Sequence, residues 1–458
     1  MKQPSKRNTT ILIAAASGFL SLTTVNAFAE DIYDSKGAVQ ALTKYDVNET
    51  SFLKKHGIVV SGIANAGITY NGNNPTNGFN GPVTFGDRAS EFQLNQLNLN
   101  IQKAVATEGD EFSFGGRLDT MFGTDAIFTQ AYGVPAINPN SYTPEPRGSW
   151  DLNLLSTNGN RFYGIALPQA YGEVYLPFGN GVDVKVGHFY TPIGYETVPA
   201  NENFFYSHAY TMQYGEPFTH TGALSNYNIN SNWNVMGGVT TGSATGGWDG
   251  GFDKQLGNWS GIGGTTWTSD DKGSSLNVSG TYGNVSEHTN NKWALYSVVL
   301  KHNITDKTHF VLQHDHGFAD QVSTWGANGD ANNKVNAEWY GVNSHLYYDL
   351  KDNLSIGMRA EWFRDQNGFR VFAPGRVSAA TNSTGAYSYA SSQLATGVGA
   401  SYYELTWGLN WKPLKWLNLR PNVRYDWIDS TSTLSPNNAP FGGQKDQVLF
   451  SNDFTVTF

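Results

Sequence analysis

Cysteine is absent from all 458 residues, which removes a disulfide scaffold, a thiolate metal site and a cysteine nucleophile together. Absence of thiols also suits an oxidising compartment. Charge is scarce: 15% of residues, against roughly 25% in soluble domains. Mean hydropathy is nevertheless −0.40, so the chain is not apolar in bulk. Beyond the N-terminus no stretch approaches the ~18–20 consecutive apolar residues of a membrane helix. What is abundant is glycine, 51 residues, and aromatic side chains, 14%. So many aromatic residues argue against disorder. The combination fits a β-rich chain that hides apolar residues on one face only.

The first residues read as an export signal. Lys2, Lys6 and Arg7 form a basic region, Ile11 to Leu22 a short apolar one, and Ala27-Phe28-Ala29 a cleavage site before Glu30. Removing residues 1–29 leaves 26 basic against 38 acidic residues, a formal charge of −12. A mildly acidic exported chain is not built to bind nucleic acid. Residues 30–57 form the expected N-terminal segment, helical around Val39 to Tyr45, on the periplasmic side.

From Ile58 the sequence period becomes two. In Leu354 to Asp365, Leu354, Ile356, Met358, Ala360 and Trp362 share one face, while Arg359, Glu361 and Asp365 share the other. Ser401 to Trp411 and Trp416 to Trp427 repeat the pattern, with Leu405, Leu409, Leu419 and Val423 on the apolar side. Alternation alone also fits a sandwich core. Strand length and spacing separate the cases, because tilted membrane strands need roughly 9–11 residues and sandwich strands five or six.

Sixteen strands are expected, near 58–70, 92–103, 111–122, 163–176, 182–190, 219–228, 232–241, 258–268, 274–283, 292–302, 308–318, 338–350, 354–365, 401–411, 416–427 and 446–458. The gaps alternate between short and long, which predicts a transmembrane antiparallel β-barrel with short periplasmic turns and long extracellular loops over 58–458. Trp233, Trp267, Trp411 and Trp416 fall beside short gaps; Trp293, Trp339, Trp362 and Trp427 fall beside long ones, as two aromatic belts would. Three features resist. The apolar face of 92–103 switches between Leu94 and Leu97, segments 292–302 and 308–318 are apolar on both parities, and Pro421 lacks a ladder donor.

The stretch 187–227, GHFYTPIGYETVPANENFFYSHAYTMQYGEPFTHTGALSNY, resembles the signature region of the OmpL-like β-barrel porin family of the Gram-negative outer membrane. The matching residues include Gly187, Phe189 to Pro192, Gly194 to Glu196, Asn203 to Ser207, and Gly215, Pro217 to His220 and Gly222. Terminal Phe458, after alternating apolar residues, resembles the signal read by the barrel-assembly machinery. The resemblance implies a barrel in outer-membrane lipid with porin-like activity and names no solute. By analogy with sixteen-stranded porins it suggests a homotrimer.

Residues 191–218 are unusually greasy for a surface loop, with Phe204, Phe205, Tyr206, Tyr210, Met212, Tyr214 and Phe218. They are expected to fold into the lumen and narrow it; lying on the rim or against a neighbouring subunit is the alternative. The loop brings Glu196, Glu202 and Glu216, and the polar strand parity brings Arg117, Asp119, Arg359, Glu361, Arg420 and Arg424. In this reading the arginines face the loop carboxylates across water and orient polar solutes; otherwise these charges pair with strand neighbours. His314-Asp315-His316 places two histidines on one face, either a metal rung lacking a third ligand or ordinary polar lumen residues. No Walker A loop, HExxH or GxSxG occurs, and no catalytic, cofactor-binding or metal-binding residue is assigned. The leading function is passive diffusion of small hydrophilic solutes or ions. Adhesion or partner recognition through the long loops is a second reading, and a barrel enzyme a third.

Overall fold

The computed structural model describes residues 35–76, 78–129, 163–241, 259–286, 289–323, 334–371, 398–434 and 439–458. The expected export signal, 1–29, lies outside the described residues.

Seventeen strand segments follow in order: β1 Ile58–Asn71, β2 Phe92–Lys103, β3 Ser113–Gly123, β4 Gly164–Leu176, β5 Val182–Tyr190, β6 Thr219–Asn228, β7 Trp233–Thr241, β8 Trp259–Thr268, β9 Ser274–Ser286, β10 Thr289–Thr305, β11 Thr308–Ser323, β12 Lys334–Lys351, β13 Leu354–Asp365, β14 Ala400–Leu414, β15 Leu417–Leu419, β16 Asn422–Ser430 and β17 Asp446–Thr457. β15 and β16 are one strand. Both pair with β14 and with β17; the register on β17 is unbroken across Arg420-Pro421, and that on β14 continues from Asn422 to Leu419 before it shifts between Trp411 and Leu414. Leu409 N–H still donates to Pro421 O at 3.0 Å, so the proline costs one donor and not the strand. Each strand pairs antiparallel with the next, and β17 returns to β1, with Ala64 opposite Val456. Sixteen strands thus close into a barrel.

Closure is required by what covers the outside. Leu97, Leu99, Ile101, Phe114, Leu118, Val186, Val342, Leu346, Ile356, Leu409, Val423 and Phe450 are all exposed on the outer wall. An apolar band of that extent belongs in lipid, where an unpaired strand edge would find no partner. The inner wall carries the other parity: Asn65, Gln96, Asp119, Gln313, Asn343, Arg359, Glu404, Arg424 and Asp453, all buried.

The irregular features have local causes. The register of β1 on β2 shifts between Asn65 and Ala66, where Asn95 is the extra residue. This bulge explains the switched apolar face and turns both Asn95 and Gln96 inward, each fully buried. β10 and β11 are apolar on both parities because inward Leu295, Val299 and Val311 pack against material inside the barrel. The long gaps expected at 284–291 and 319–337 are shorter: β9 and β10 pair out to Ser286 and Thr289, and β11 and β12 out to Ser323 and Lys334.

The aromatic belts and the histidine pair follow expectation only in part. Trp233 and Trp362 are exposed outward, and Trp427 stacks on Tyr403 at 5.1 Å in the long-loop belt. Trp339 is buried inside the barrel and Trp293 packs on it at 6.1 Å. Trp416 is covered by Ala38 and Ala41 of the helix Ala38–Thr43. His314 and His316 flank buried, inward Asp315, so they lie on the outer wall and not in the lumen. His314 Nδ1 lies 3.0 Å from Gly341 O, and His316 Nε2 lies 2.7 Å from Glu338.

The wall phase gives a direct test. An arginine near the bilayer midplane on the lipid face costs roughly 2–4 kcal/mol. Leu409→Arg should therefore sharply reduce folded barrel, read as heat-modifiable gel mobility. Asn410→Arg, one residue away on the inner wall, should assemble far better. Equal yields would mean that the phase is wrong.

Candidate functional site

The segment 191–218 joins β5 to β6. Thr191 N–H donates to Phe218 O at 3.0 Å, and Thr191 Oγ1 lies 2.9 Å from His220 Nε2, so the two ends are pinned together. Gly194 then turns the chain at φ +93°, and a Cβ there would overlap the Glu216 carboxylate. Beyond the turn come a 3-10 turn at Ala200–Glu202 and a π-helical turn at Thr211–Gly215. Ile193, Val198, Phe205, Tyr206, Tyr210, Met212, Tyr214 and Phe218 are each no more than 3% exposed. They pack on inward side chains of the wall: Trp339, Phe363 and Tyr402 on one side, Leu224, Ile262 and Leu295 on another. Gly341 of β12 lets the wall approach Thr211, whose Oγ1 a Cβ would strike.

An irregular backbone at this depth leaves carbonyls and N–H groups in need of partners. Three wall arginines supply most of the donors. Arg420 pairs with Asp453 and donates to Ala200 O at 2.6 Å, Asn203 O at 2.8 Å and Phe205 O at 3.0 Å. Arg359 donates to Ser207 O at 2.8 Å while holding Glu404 at 2.8 Å and Glu196 at 2.5 Å. Arg424 donates to His208 O at 2.6 Å and pairs with Glu404 at 3.0 Å and Asp426 at 2.8 Å. Wall acceptors complete the clamp. Glu361 accepts from the backbone N–H groups of Tyr210 and Thr211, both at 2.6 Å, and Asp426 accepts from the Tyr210 hydroxyl at 2.7 Å. From the β2 bulge, Asn95 accepts from the Tyr206 hydroxyl at 2.7 Å and Gln96 donates to Val198 O at 2.8 Å. A rigid guanidinium fork suits this double duty, holding a carboxylate with one edge and carbonyls with another.

The loop carboxylates differ in character. Burial alone would raise Glu196, but the Arg359 guanidinium and His208 hold it well below the usual carboxylate range. No arginine among the described residues is recorded against Glu216. Burial, then the nearby Asp315 carboxylate, push it well above the usual range, and Gln313 donates to both carboxylates.

The nine expected site residues therefore fall into separate places. Glu196, Arg359, Glu361, Arg420 and Arg424 come to one nearly solvent-free region, but of the arginines only Arg359 meets a loop carboxylate, Glu196, and does so directly; Arg420 and Arg424 pair with the wall carboxylates Asp453, Glu404 and Asp426, as the strand-neighbour alternative expects. Arg359, Arg420 and Arg424 are at most 1% exposed. Glu216 sits apart, against β11. Arg117, Asp119 and Glu202 line open space at the short-turn end of the lumen, where Arg117 Nε donates to Asp119 at 2.8 Å. Sequence reasoning did not single out Asp453, Asn95 or Gln96. Asp453 shares the polar parity of Gln447, Ser451 and Thr455, so its inward face was readable; its arginine partner was not.

Apolar outer wall, polar inner wall and a clamped inward segment define the molecule as an outer-membrane β-barrel porin. More narrowly, the chain belongs to the family described as "Putative beta-barrel porin-2, OmpL-like", whose profile matches residues 57–458. It is similar in fold to OprB of Pseudomonas putida, with 12% identity, a TM-score of 0.52, and 93% of this chain and 99% of that chain covered. It is also similar to the anion-selective porin from Comamonas acidovorans, with 8% identity, a TM-score of 0.51, and coverage of 88% and 99%. The trimer form of OmpT from Vibrio cholerae matches at 10% identity, a TM-score of 0.48, and coverage of 88% and 99%. At these identities the likeness is one of fold. No curated protein matches the chain.

The clamp makes two predictions. Arg420→Ala strands Asp453 and three carbonyls, a loss of about 3–5 kcal/mol for a broken buried pair. Protease cleavage within 191–218 should be negligible in the parent protein and rapid in this variant. Glu216→Gln should keep that protection, because burial and the Asp315 carboxylate disfavour a charge on Glu216 and no arginine bond is lost with it. Glu196→Gln should lose it, since a charged hydrogen bond worth about 1.5–3 kcal/mol disappears. The reverse order would overturn the assignment of charge to the two carboxylates.

Proposed function

We propose that small hydrophilic solutes and ions cross the outer membrane beside the clamped segment, along the inner wall of β3 to β5. The observation that carries this reading is the asymmetry of the lumen. The arginine clamp covers the wall of β12 to β17 and β1 to β2. On the other side inward charges stay partly open, the Arg117 side chain at 24% and Lys185 at 23% exposure. Segment 191–218 then sets the width of the path, and Arg117, Asp119 and Glu202 border it. Glu196, Glu216, Arg359, Glu361, Arg420 and Arg424 act by holding the segment in place. The reading is of a channel and not an enzyme: solutes diffuse, and selection comes from width and lining charge. For partners we propose outer-membrane lipid around the outer wall, the barrel-assembly machinery at the strand ending in Phe458, and a homotrimer, checked by native mass in mild detergent.

Planar-bilayer recordings test the path. Deleting 200–212 should raise single-channel conductance, and Arg117→Ala should shift the reversal potential in a KCl gradient toward cation preference. A folded, inserted deletion variant with unchanged conductance would place the path elsewhere.

A further inference from the structure

At the short-turn end of the lumen lies a cavity of about 380 Å³, inside the ~300–1,000 Å³ range of small-molecule sites. Its floor is the N-terminal segment, which is fixed at two points. Asn48 exchanges two hydrogen bonds with the Val60 backbone, at 2.9 and 2.7 Å, and Ala38 and Ala41 pack on Trp416. Its roof is the inner wall and the tip of the clamped segment, which contribute Asn98, Asn100, Arg117, Asp119, Tyr190 and Asn201.

The lining chemistry favours one class of solute. Charges are nearly balanced, Lys36 and Arg117 against Asp46, Asp119 and Glu202, and Arg117 Nε already bonds both Asp119 oxygens, at 2.8 and 3.0 Å. An anion site would need a surplus of cationic donors and a cation site a cluster of unpaired carboxylates. Four amides, Gln40, Asn98, Asn100 and Asn201, stand among these charges besides the engaged Asn48, and each offers donors and an acceptor, the complement of a hydroxyl, which does both. Asn98 supplies the pointed observation. It is 5% exposed, its Nδ2 is engaged with Gln96 at 3.4 Å, and its buried Oδ1 accepts no hydrogen bond from the protein. The rings of Tyr190 and Phe458 add apolar surface for the carbon face of a sugar.

We propose that this cavity is a binding subsite for a neutral, polyhydroxylated solute of monosaccharide size. The proposal rests on the channel reading for its place in transport, though binding itself can be measured without current. The probe is D-glucose, with succinate and lysine as charged comparators, applied to the full-length protein in detergent and in planar bilayers. Saturation-transfer NMR should show glucose bound in detergent, and glucose should reduce ion current in a saturable way, with both comparators weaker. Asn98→Ala and Asn201→Ala should each raise the half-saturating concentration about 3–10-fold, the worth of one hydrogen bond. Asn201 is exposed on the segment tip, so its replacement does not threaten folding. Absence of NMR transfer overturns the subsite even where the channel conducts. Transfer without current upholds the subsite and removes the channel reading. Succinate or lysine binding as strongly as glucose overturns the solute class, and half-saturation unchanged in both variants overturns the location.

Discussion

Irregular backbone can lie at membrane depth only when something other than water satisfies its polar groups. Strands solve this with ladders; segment 191–218 has none. Its carbonyls are met instead by Arg359, Arg420 and Arg424, whose own charges are balanced by Glu196, Glu404, Asp426 and Asp453. Every other feature of the lumen follows from this exchange. The charges are buried because they serve the segment, and the segment is ordered because the charges are there.

The clamp also divides the barrel. On its side the interior resembles a protein core, where Tyr210, Tyr214, Trp339, Phe363 and Tyr402 pack together. Long-loop residues close over it: the Tyr214 hydroxyl donates to Pro82 O at 2.6 Å, and Arg370 Nε donates to Tyr214 O at 2.6 Å. On the other side the wall keeps charged residues such as Glu173 and Lys185 that touch one another only loosely, at 3.9 Å. Polar wall facing packed loop is the arrangement of a lumen narrowed from one side.

The strands were legible because the period of two is enforced on both faces, by lipid outside and by polar groups inside. Leu405, Leu409 and Val423 announced the outer face of their strands, and Glu404 and Arg424 the inner one. The clamp was less legible. Parity says that Arg359, Arg420 and Arg424 point inward; it does not say at what depth or toward which partner, so facing loop carboxylates across water and pairing with strand neighbours both stayed open. The departures from alternation held the missing information. Leu295, Val299 and Val311 break the polar inner parity because an apolar segment covers them, and the switch between Leu94 and Leu97 marks the bulge that aims Asn95 at Tyr206 and Gln96 at Val198. Trp339 misled for the same reason: a tryptophan at a strand end is expected at the headgroups, but here the interior is the more apolar place.

The clamp also straddles the line where the barrel closes. Asn65 on β1 donates to Asp453 on β17 at 2.6 Å, and Asp453 holds Arg420, which grips three carbonyls of the segment. First and last strands are the pairing with the greatest sequence separation, hence the slowest to form. The segment can reach its full set of partners only once that pairing exists. Docking is therefore a late step in assembly, and the docked segment acts as a latch across the seam: strands β1 and β17 cannot part without breaking either the arginine's hold on one side or the hold of Asn95 and Gln96 on the other.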